Sequence, residues 1–158
     1  MMSMTRLIMA GALGIALSPS VSLAEPTVAT CNPTRIKYMA SDASSFTTTS
    51  TSYVDLPQAR IAFRQGGASP SCVLVRFSAA PFANRNMGFR ALLDGVAGIP
   101  FEGQVSDGAD KGANARRFTF IFPDVAPGDH LVQIQHQMTS QGGVVHMNAH
   151  NTIVSFSP

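Results

Sequence analysis

Apolar and polar residues alternate in short runs along most of the chain after residue 30. In the clearest run, 73–78, the apolar residues Val73, Val75 and Phe77 occupy every second position. A period of two places such residues on one face of an extended strand, so each run predicts a β-strand with one apolar side. The other runs are 35–38, with Ile36 and Tyr38 on the apolar side, 60–64, 89–94 and 117–122, with Phe120 at its centre.

Turn-forming residues separate these runs. They are Gln65-Gly66-Gly67, Ala80-Pro81, Asp94-Gly95, the segment 107–114 and Pro127-Gly128. Long runs of helix-forming residues are missing from the sequence, and charged residues make up only 13% of it. About eight to ten short strands at this spacing predict an all-β protein, an antiparallel β-sandwich with a jelly-roll-like arrangement.

The segment 44–52 (SSFTTTSTS) is rich in serine and threonine and could be a disordered linker. Threonine is also a good strand former, and the apolar sequence that starts at Tyr53 follows without a break. We therefore expect an edge strand here that leads into a turn at Pro57.

The first residues have the pattern of a secretory leader. Arg6 precedes an apolar run, 7–17, and Ser22-Leu23-Ala24 follows as a small-residue cleavage pattern. The run is too short to span a bilayer, and no later segment is apolar enough to do so. We expect a signal peptide over residues 1–24 and one β-sandwich domain over 25–158, exported to the periplasm or the extracellular space.

Charge and cysteine content fit an exported binding protein. The 11 Lys and Arg nearly balance the 9 Asp and Glu, which argues against a nucleic-acid partner because such proteins carry a concentrated basic stripe. Cys31 and Cys72 are the only cysteines, and an exported chain with one pair most often joins them in a disulfide. The alternative is a lipoprotein acylated at Cys31, which the Thr30 before it disfavours.

The histidines raise the question of a metal site. The run 129–138 places His136 on the same side as its apolar residues, and Gly142-Gly143 predict a turn into a second strand, 144–150. If His136 stood opposite His146, the pair would begin a metal site.

Burial favours a different register of this predicted hairpin. Pairing Met138 with Met147 sets the apolar residues of both strands side by side. His136 then belongs to the core while His146 and His150 face outward, so we expect no metal and no cofactor.

Known catalytic motifs are not found in the sequence, including nucleophile elbows, zinc-protease helices and phosphate or dinucleotide loops. A pair of carboxylates could still serve a hydrolase of surface glycans, which is the alternative to a non-enzymatic role. Its candidates are Glu102, Asp107, Asp110, Asp124 and Asp129, all next to turn residues. The segment 107–114 also offers oxygen ligands for calcium, but its spacing differs from known calcium loops and it contains Lys111.

Arginine side chains form the one candidate binding patch. Arg60, Arg64, Arg76 and Arg90 lie on the polar sides of their predicted strands. If these strands are neighbours, the arginines would suit an anionic surface glycan or a protein partner. Carbohydrate binding on aromatic platforms is disfavoured because the chain has no Trp and only 2 Tyr.

Several blocks of the sequence resemble a group of small exported bacterial proteins that has no assigned activity. The blocks are FTTTSTSYVDLPQARIAF, SCVLVRFSA, FRALLDG, FTFIFPDVAPGDHLVQIQHQM and HNTIVSF, and they cover roughly Phe46 to Phe156. More distantly, their order resembles the jelly-roll domains of the C1q and tumour-necrosis-factor type. That resemblance implies a binding role and homotrimers. We therefore expect an exported, non-enzymatic binding or structural module.

Overall fold

A computed structural model describes residues 31–41, 46–83, 85–105 and 115–158. The predicted signal peptide (1–24) and the candidate calcium loop (107–114, with Asp107 and Asp110) lie outside these residues. The described part contains ten strands. They are β1 (Arg35–Ser41), β2 (Phe46–Thr48), β3 (Val54–Gln65), β4 (Ser71–Ala83), β5 (Met87–Leu93), β6 (Val96–Ala97), β7 (Gly103–Val105), β8 (Arg116–Val125), β9 (Gly128–Met138) and β10 (Val145–Phe156).

The strands form two antiparallel sheets that pack face to face. The first sheet has the order β1-β10-β4-β8, with β2 also paired to β10. The second has the order β3-β9-β5-β6, with β7 also paired to β5. Strands from opposite ends of the chain are neighbours in both sheets, as in a jelly roll. The predicted all-β, antiparallel sandwich is confirmed.

The core lies between the sheets and consists of the inward side chains of both. Phe77 and Phe120 of the first sheet and Phe89 of the second are fully buried. The rings of Phe77 and Phe89 meet across the interface with centroids 5.0 Å apart. The period-two pattern therefore predicted the buried side of β4, β5, β8 and β9 correctly.

The predicted hairpin between 129–138 and 144–150 is wrong. β9 pairs with β3 and β5 in the second sheet, whereas β10 pairs with strands of the first. Met138 and Met147 are both buried, as expected, but they belong to facing sheets and are not cross-strand neighbours. Burial identifies which side of a strand faces the core, and two facing sheets satisfy it as well as one hairpin does.

His150 faces the core, although alternation predicted that it faces outward. The pairing of β10 with β4 shifts register between Met147 and His150, which marks a β-bulge. The extra residue restarts the alternation, so that Met147 and His150 are both inward and His150 is only 7% exposed.

The run 35–38 also has the opposite orientation to the one predicted. Ile36 and Tyr38 are 65% and 62% exposed. Lys37 instead reaches across the open edge of the sandwich, and its ammonium group donates a 2.9 Å hydrogen bond to the carbonyl oxygen of Ala62 in β3. β1 is an edge strand, where a long aliphatic side chain can cover the core while its charge stays near solvent.

The serine- and threonine-rich segment contributes the short strand β2, whose partner among the described strands is β10. The expected edge strand is thus confirmed for Phe46–Thr48. The expected turn at Pro57 is wrong, because β3 continues through it. A register shift between Asp55 and Arg60 and a positive φ of 54° at Gln58 mark a bulge there.

Cys31 and Cys72 lie at disulfide distance, with Cα atoms 5.4 Å apart. The bridge ties the segment before β1 to β4. A sulfur atom in such a bridge is not available for acylation, which disfavours the lipoprotein alternative. Among the described residues no helix is long and apolar enough to cross a membrane.

Candidate functional site

The four arginines of the predicted patch lie on two different surfaces. Arg60 and Arg64 lie on β3 and Arg90 on β5, all with their side chains on the outer face of the second sheet. Arg76 lies on β4, on the outer face of the first sheet. The structure therefore brings three of the four to one face and places the fourth on the opposite side of the sandwich.

Arg90 is the centre of a cluster of aromatic and polar side chains on this face. Its guanidinium carbon lies 3.7 Å from the ring centroid of Tyr53 and 5.3 Å from that of Phe101. The two rings meet edge to face, with centroids 6.1 Å apart. Stacking on aromatic rings and a 2.8 Å hydrogen bond from Nε to Gln135 Oε1 hold Arg90 in place.

Glu102 lies at the other side of this cluster and is held by two amides. Gln104 and Gln137 each donate a hydrogen bond to its carboxylate, at 3.1 and 3.2 Å. The carboxylate lies directly over the backbone of β5, where a Cβ atom at Gly88 would collide with it. Glycine at position 88 is therefore what allows Glu102 to approach the sheet.

The electrostatics of the cluster keep Glu102 ionised and Tyr53 neutral. Burial opposes the charged form of Glu102, but hydrogen bonds from Gln104 and Gln137 and the charge of Arg90 outweigh it and lower its pKa. Burial, followed by the neighbouring Glu102 carboxylate, raises the pKa of Tyr53. The cluster thus presents a carboxylate acceptor and a guanidinium donor.

Carboxylates lie among the arginines on the outer face of the second sheet. Arg64 pairs with Asp129 at 3.1 Å. Gln135, which accepts from Arg90, donates a 2.7 Å hydrogen bond to Asp55. With Glu102, three carboxylates thus accompany three arginines. We call this surface, from Arg60 and Arg64 to the Arg90 cluster, the polar face, and its formal charge is close to zero.

The groove next to β6 and β8 holds a different pair of titratable groups. Its volume is about 430 Å³, and apolar side chains such as Val96, Ile99 and Ile121 line most of it. On its wall, His130 Nδ1 lies 2.6 Å from Asp94 Oδ2, and Nε2 lies 2.8 Å from the carbonyl oxygen of Ala126. With both nitrogens bound to acceptors, the ring has no free lone pair with which to act as a general base.

The histidines do not converge on a metal site. His136 is buried in the second sheet as predicted, and His146 is exposed. His150 is buried in the first sheet, where its ring lies beside Phe77 with centroids 6.0 Å apart. Among the described residues there is no group of three or more His, Cys, Asp or Glu that could hold a metal ion.

The sequence did not indicate Tyr53 and Phe101 as site residues, and it indicated Glu102 only as a candidate carboxylate of a hydrolase. Phe101 lies outside every alternating run, between Pro100 and Glu102, and it is 56% exposed. An aromatic residue in a Gly- and Pro-rich connection has no strand face to bury it, and that was the available signal. Its meeting with Tyr53, nearly fifty positions earlier, depends on the sheet order.

The sequence matches no family model and no curated protein. The geometry of the polar face is therefore the main guide to function.

Proposed function

We propose that this protein is an exported, non-enzymatic binding module that takes a neutral glycan on the polar face of its second sheet. The observation that carries the proposal is the exposed ring of Phe101 beside the fixed, ionised Glu102 and the stacked Arg90. A sugar presents an apolar face of C–H groups and a rim of hydroxyl groups. The cluster offers a partner for each of them.

The aromatic part supplies the contact for the apolar face of a sugar ring. Phe101 is 56% exposed and projects from the connection between β6 and β7. Tyr53 supports it from below with an edge-to-face contact. Such a ring is fixed on one side and open on the other. Covering its open side with an apolar surface is favourable.

The polar part supplies directional partners for hydroxyl groups. Glu102 accepts hydrogen bonds, Arg90 donates them, and the amides of Gln104, Gln135 and Gln137 do both. These side chains hold one another in place before any ligand arrives, because Gln135 binds Arg90 and Gln137 binds Glu102. Preorganisation of this kind lowers the entropy lost on binding.

Charge decides between a neutral and an anionic ligand on this face. An anionic glycan was the expectation from the arginines alone. The carboxylates of Asp55, Glu102 and Asp129 lie among them, so an anion there would gain little net attraction. A neutral sugar fits the balanced charge better.

The alternative hydrolase would need a carboxylic acid with a raised pKa to protonate the leaving oxygen. Asp94 and Glu102 both show shifts in the opposite direction. Burial opposes ionisation in each, and hydrogen bonds outweigh it. Two carboxylates held in the ionised form favour binding over acid catalysis.

Tyrosine fluorescence gives a direct test. The chain has no Trp and only 2 Tyr, so a Tyr38→Phe variant reports on Tyr53 alone. We expect its emission to change on titration with at least one of a panel of neutral oligosaccharides built from glucose, mannose, galactose or N-acetylglucosamine. No change with any of them would contradict the proposal, as would release of reducing ends from a bound sugar.

A matched pair of variants locates the site. Phe101→Ala removes the platform, and we expect at least tenfold weaker binding. Ile99→Ala is the control, because Ile99 lies on the same connection and is 60% exposed but is outside the cluster. Equal weakening by both variants would show that the connection, and not the platform, governs binding.

The homotrimer implied by the C1q resemblance stays a prediction about assembly. Sedimentation equilibrium of the mature protein should give three times the chain mass. A monomer at all concentrations tested would contradict the prediction.

A further inference from the structure

The strands of the first sheet carry many basic side chains and almost no acidic ones. Their basic residues are Arg35, Lys37, Arg76, Arg116 and Arg117. Asp124, near the end of β8, is the one acidic residue in these strands. This sheet therefore differs from the second, in which carboxylates accompany the arginines.

Three hydrogen-bond donors lie side by side on its outer face. Ser78 of β4 is paired with Arg117 of β8 on one side and with Asn151 of β10 on the other. Directly opposed residues have Cβ atoms about 5 Å apart. A guanidinium, a hydroxyl and an amide thus form a row across three strands.

A groove of about 450 Å³ lies over this row, lined by Ser78, Asn151 and Arg117 together with Ala115 and Arg116. We call it the basic groove. A hollow of about 220 Å³ continues it toward Tyr38 and shares Ser78 and Asn151 as walls. The site is therefore concave and has donors on its floor.

A second cation lies close to the basic groove. Arg76 is exposed on the same face as Ser78, and its partner Thr119 is two residues beyond Arg117. The diagonal between Arg76 and Arg117 is about 7 to 8 Å at Cβ. Asp124 lies roughly 20 Å further along β8, beyond the Debye length of about 8 Å at physiological salt.

We infer that the basic groove binds the anionic group of an acidic polysaccharide, a sulfate or a carboxylate, with Arg117 and Arg76 as its cations. A guanidinium matches the spacing of two anionic oxygens, and Ser78 and Asn151 donate to those that remain. The concave shape admits a group that projects from a sugar ring, whereas a membrane surface would meet cations on a protruding surface. This ligand differs from the neutral glycan of the polar face, and the two sites lie on opposite sheets.

The test compares two ligands that differ only in charge. Isothermal titration of the mature protein with short dextran sulfate and with unmodified dextran of the same length should show at least tenfold tighter binding of the sulfated chain. Arg117→Gln should abolish the difference. Arg85→Gln is the matched control, because Arg85 is also exposed but lies in the connection between β4 and β5, outside both proposed binding surfaces. Equal losses in the two variants would overturn the inference.

Amide chemical shifts locate the bound anion independently of any variant. We expect the largest changes on addition of dextran sulfate at Ser78, Arg117 and Asn151. Changes centred on Arg90 and Gln135 would overturn the inference and leave the polar face as the glycan site. Binding to phosphatidylglycerol vesicles without binding to dextran sulfate would also overturn it, in favour of a membrane surface. If Arg117→Gln does not fold, Ser78→Ala replaces it. We expect Ser78→Ala to weaken binding of dextran sulfate severalfold.

Discussion

His130 and Asp94 are joined by a 2.6 Å contact between Nδ1 and Oδ2. Nε2 of the same ring contacts a carbonyl oxygen, that of Ala126, at 2.8 Å. Both partners are acceptors, so both contacts are hydrogen bonds only when both nitrogens carry protons, as in the imidazolium form. Asp94 also accepts a 2.8 Å hydrogen bond from the amide of Leu131. The pair therefore fixes the turn after β5 to the start of β9.

The first prediction is a loss of stability as pH rises through the folded pKa of His130. Burial opposes its charged form, but the hydrogen bonds and charge of its acceptors outweigh burial and raise the pKa above its ordinary 6.5. The pKa of Asp94 is lowered from 3.8 by the same contacts against the effect of burial. The pair thus makes its full contribution to the free energy of unfolding between about pH 4 and 6.5. Its contribution decreases above that range and also in acid.

Urea unfolding from pH 5 to 9 measures this contribution. We expect about 1 kcal/mol, since Asp94 is half exposed and solvent screens the pair. Asp94→Asn keeps the shape and removes the charge, so it should lose most of the dependence above pH 6.5. An unchanged pH profile in this variant would refute the assignment.

The second prediction concerns His136, whose side chain is fully buried. Its ring meets that of Phe46 edge to face, with the ring centroids 4.9 Å apart. Neither ring nitrogen has a hydrogen-bond partner among the described residues. Burial lowers its pKa from 6.5 to about 4. The unfolded chain then binds the proton first, so stability should fall by about 3 kcal/mol as pH falls from 6.5 to 4.

His136→Phe separates this effect from that of His130. Phenylalanine has a similar shape and no polar atom, so we expect equal or higher stability at pH 7 and a smaller loss in acid. The free energy of unfolding at pH 7 and pH 4 decides the matter. If the variant loses as much stability in acid as the parent, His136 is not the group responsible.

The third prediction concerns which side chains of β4 and β8 face the core and which face solvent. Phe77 and Phe120 are fully buried, whereas their chain neighbours Arg76 and Thr119 are exposed. Replacing either phenylalanine by alanine should cost about 3 to 5 kcal/mol, and replacing Arg76 or Thr119 should cost less than about 1 kcal/mol. Chemical denaturation of the four variants checks this, and similar losses at all four sites would mean that the faces are misassigned.

The fourth prediction concerns Cys31 and Cys72, which are separated by 41 positions. Closing a loop of this length stabilises the fold by up to about 4 kcal/mol on the chain-entropy model. The intact mass should lie about 2 Da below the reduced value, and reduction should lower the melting temperature. A mass increase equal to a diacylglycerol group on Cys31 would instead establish the lipoprotein.

The fifth prediction is export with cleavage after Ala24. Protein recovered from the periplasm or the medium should begin at Glu25 when its N-terminus is sequenced. An intact Met1 on protein in the cytoplasm would contradict it.

Particular strands show how far the sequence pattern reaches. Alternation identified β4 and β8 and their buried sides, because a core strand must direct every second side chain away from water. The same rule failed for Ile36 and Tyr38, since an edge strand is not required to bury its apolar side. It also failed for His150, because a bulge adds one residue and inverts the alternation.

The candidate site was only partly predictable for a related reason. Arg90 could be named from the sequence because an outward arginine on a strand is visible as a pattern. Tyr53 and Phe101 could not, since they belong to different segments and meet only through the order of the second sheet, and Glu102 could be named only as a candidate carboxylate of a hydrolase. The separation of Arg76 from Arg60 likewise depends on which sheet each strand joins.

The sequence by itself determined the core strands, the buried faces of β4, β5, β8 and β9 and the pair of cysteines, because these follow from local periodicity and from composition. Only the tertiary structure decided which strands are neighbours. Met138 and Met147 are buried equally well in one hairpin or in two facing sheets, so burial alone cannot choose between them. Both proposed binding surfaces are formed by strands that are distant in sequence. The order of the strands in each sheet therefore decides which side chains lie on each surface.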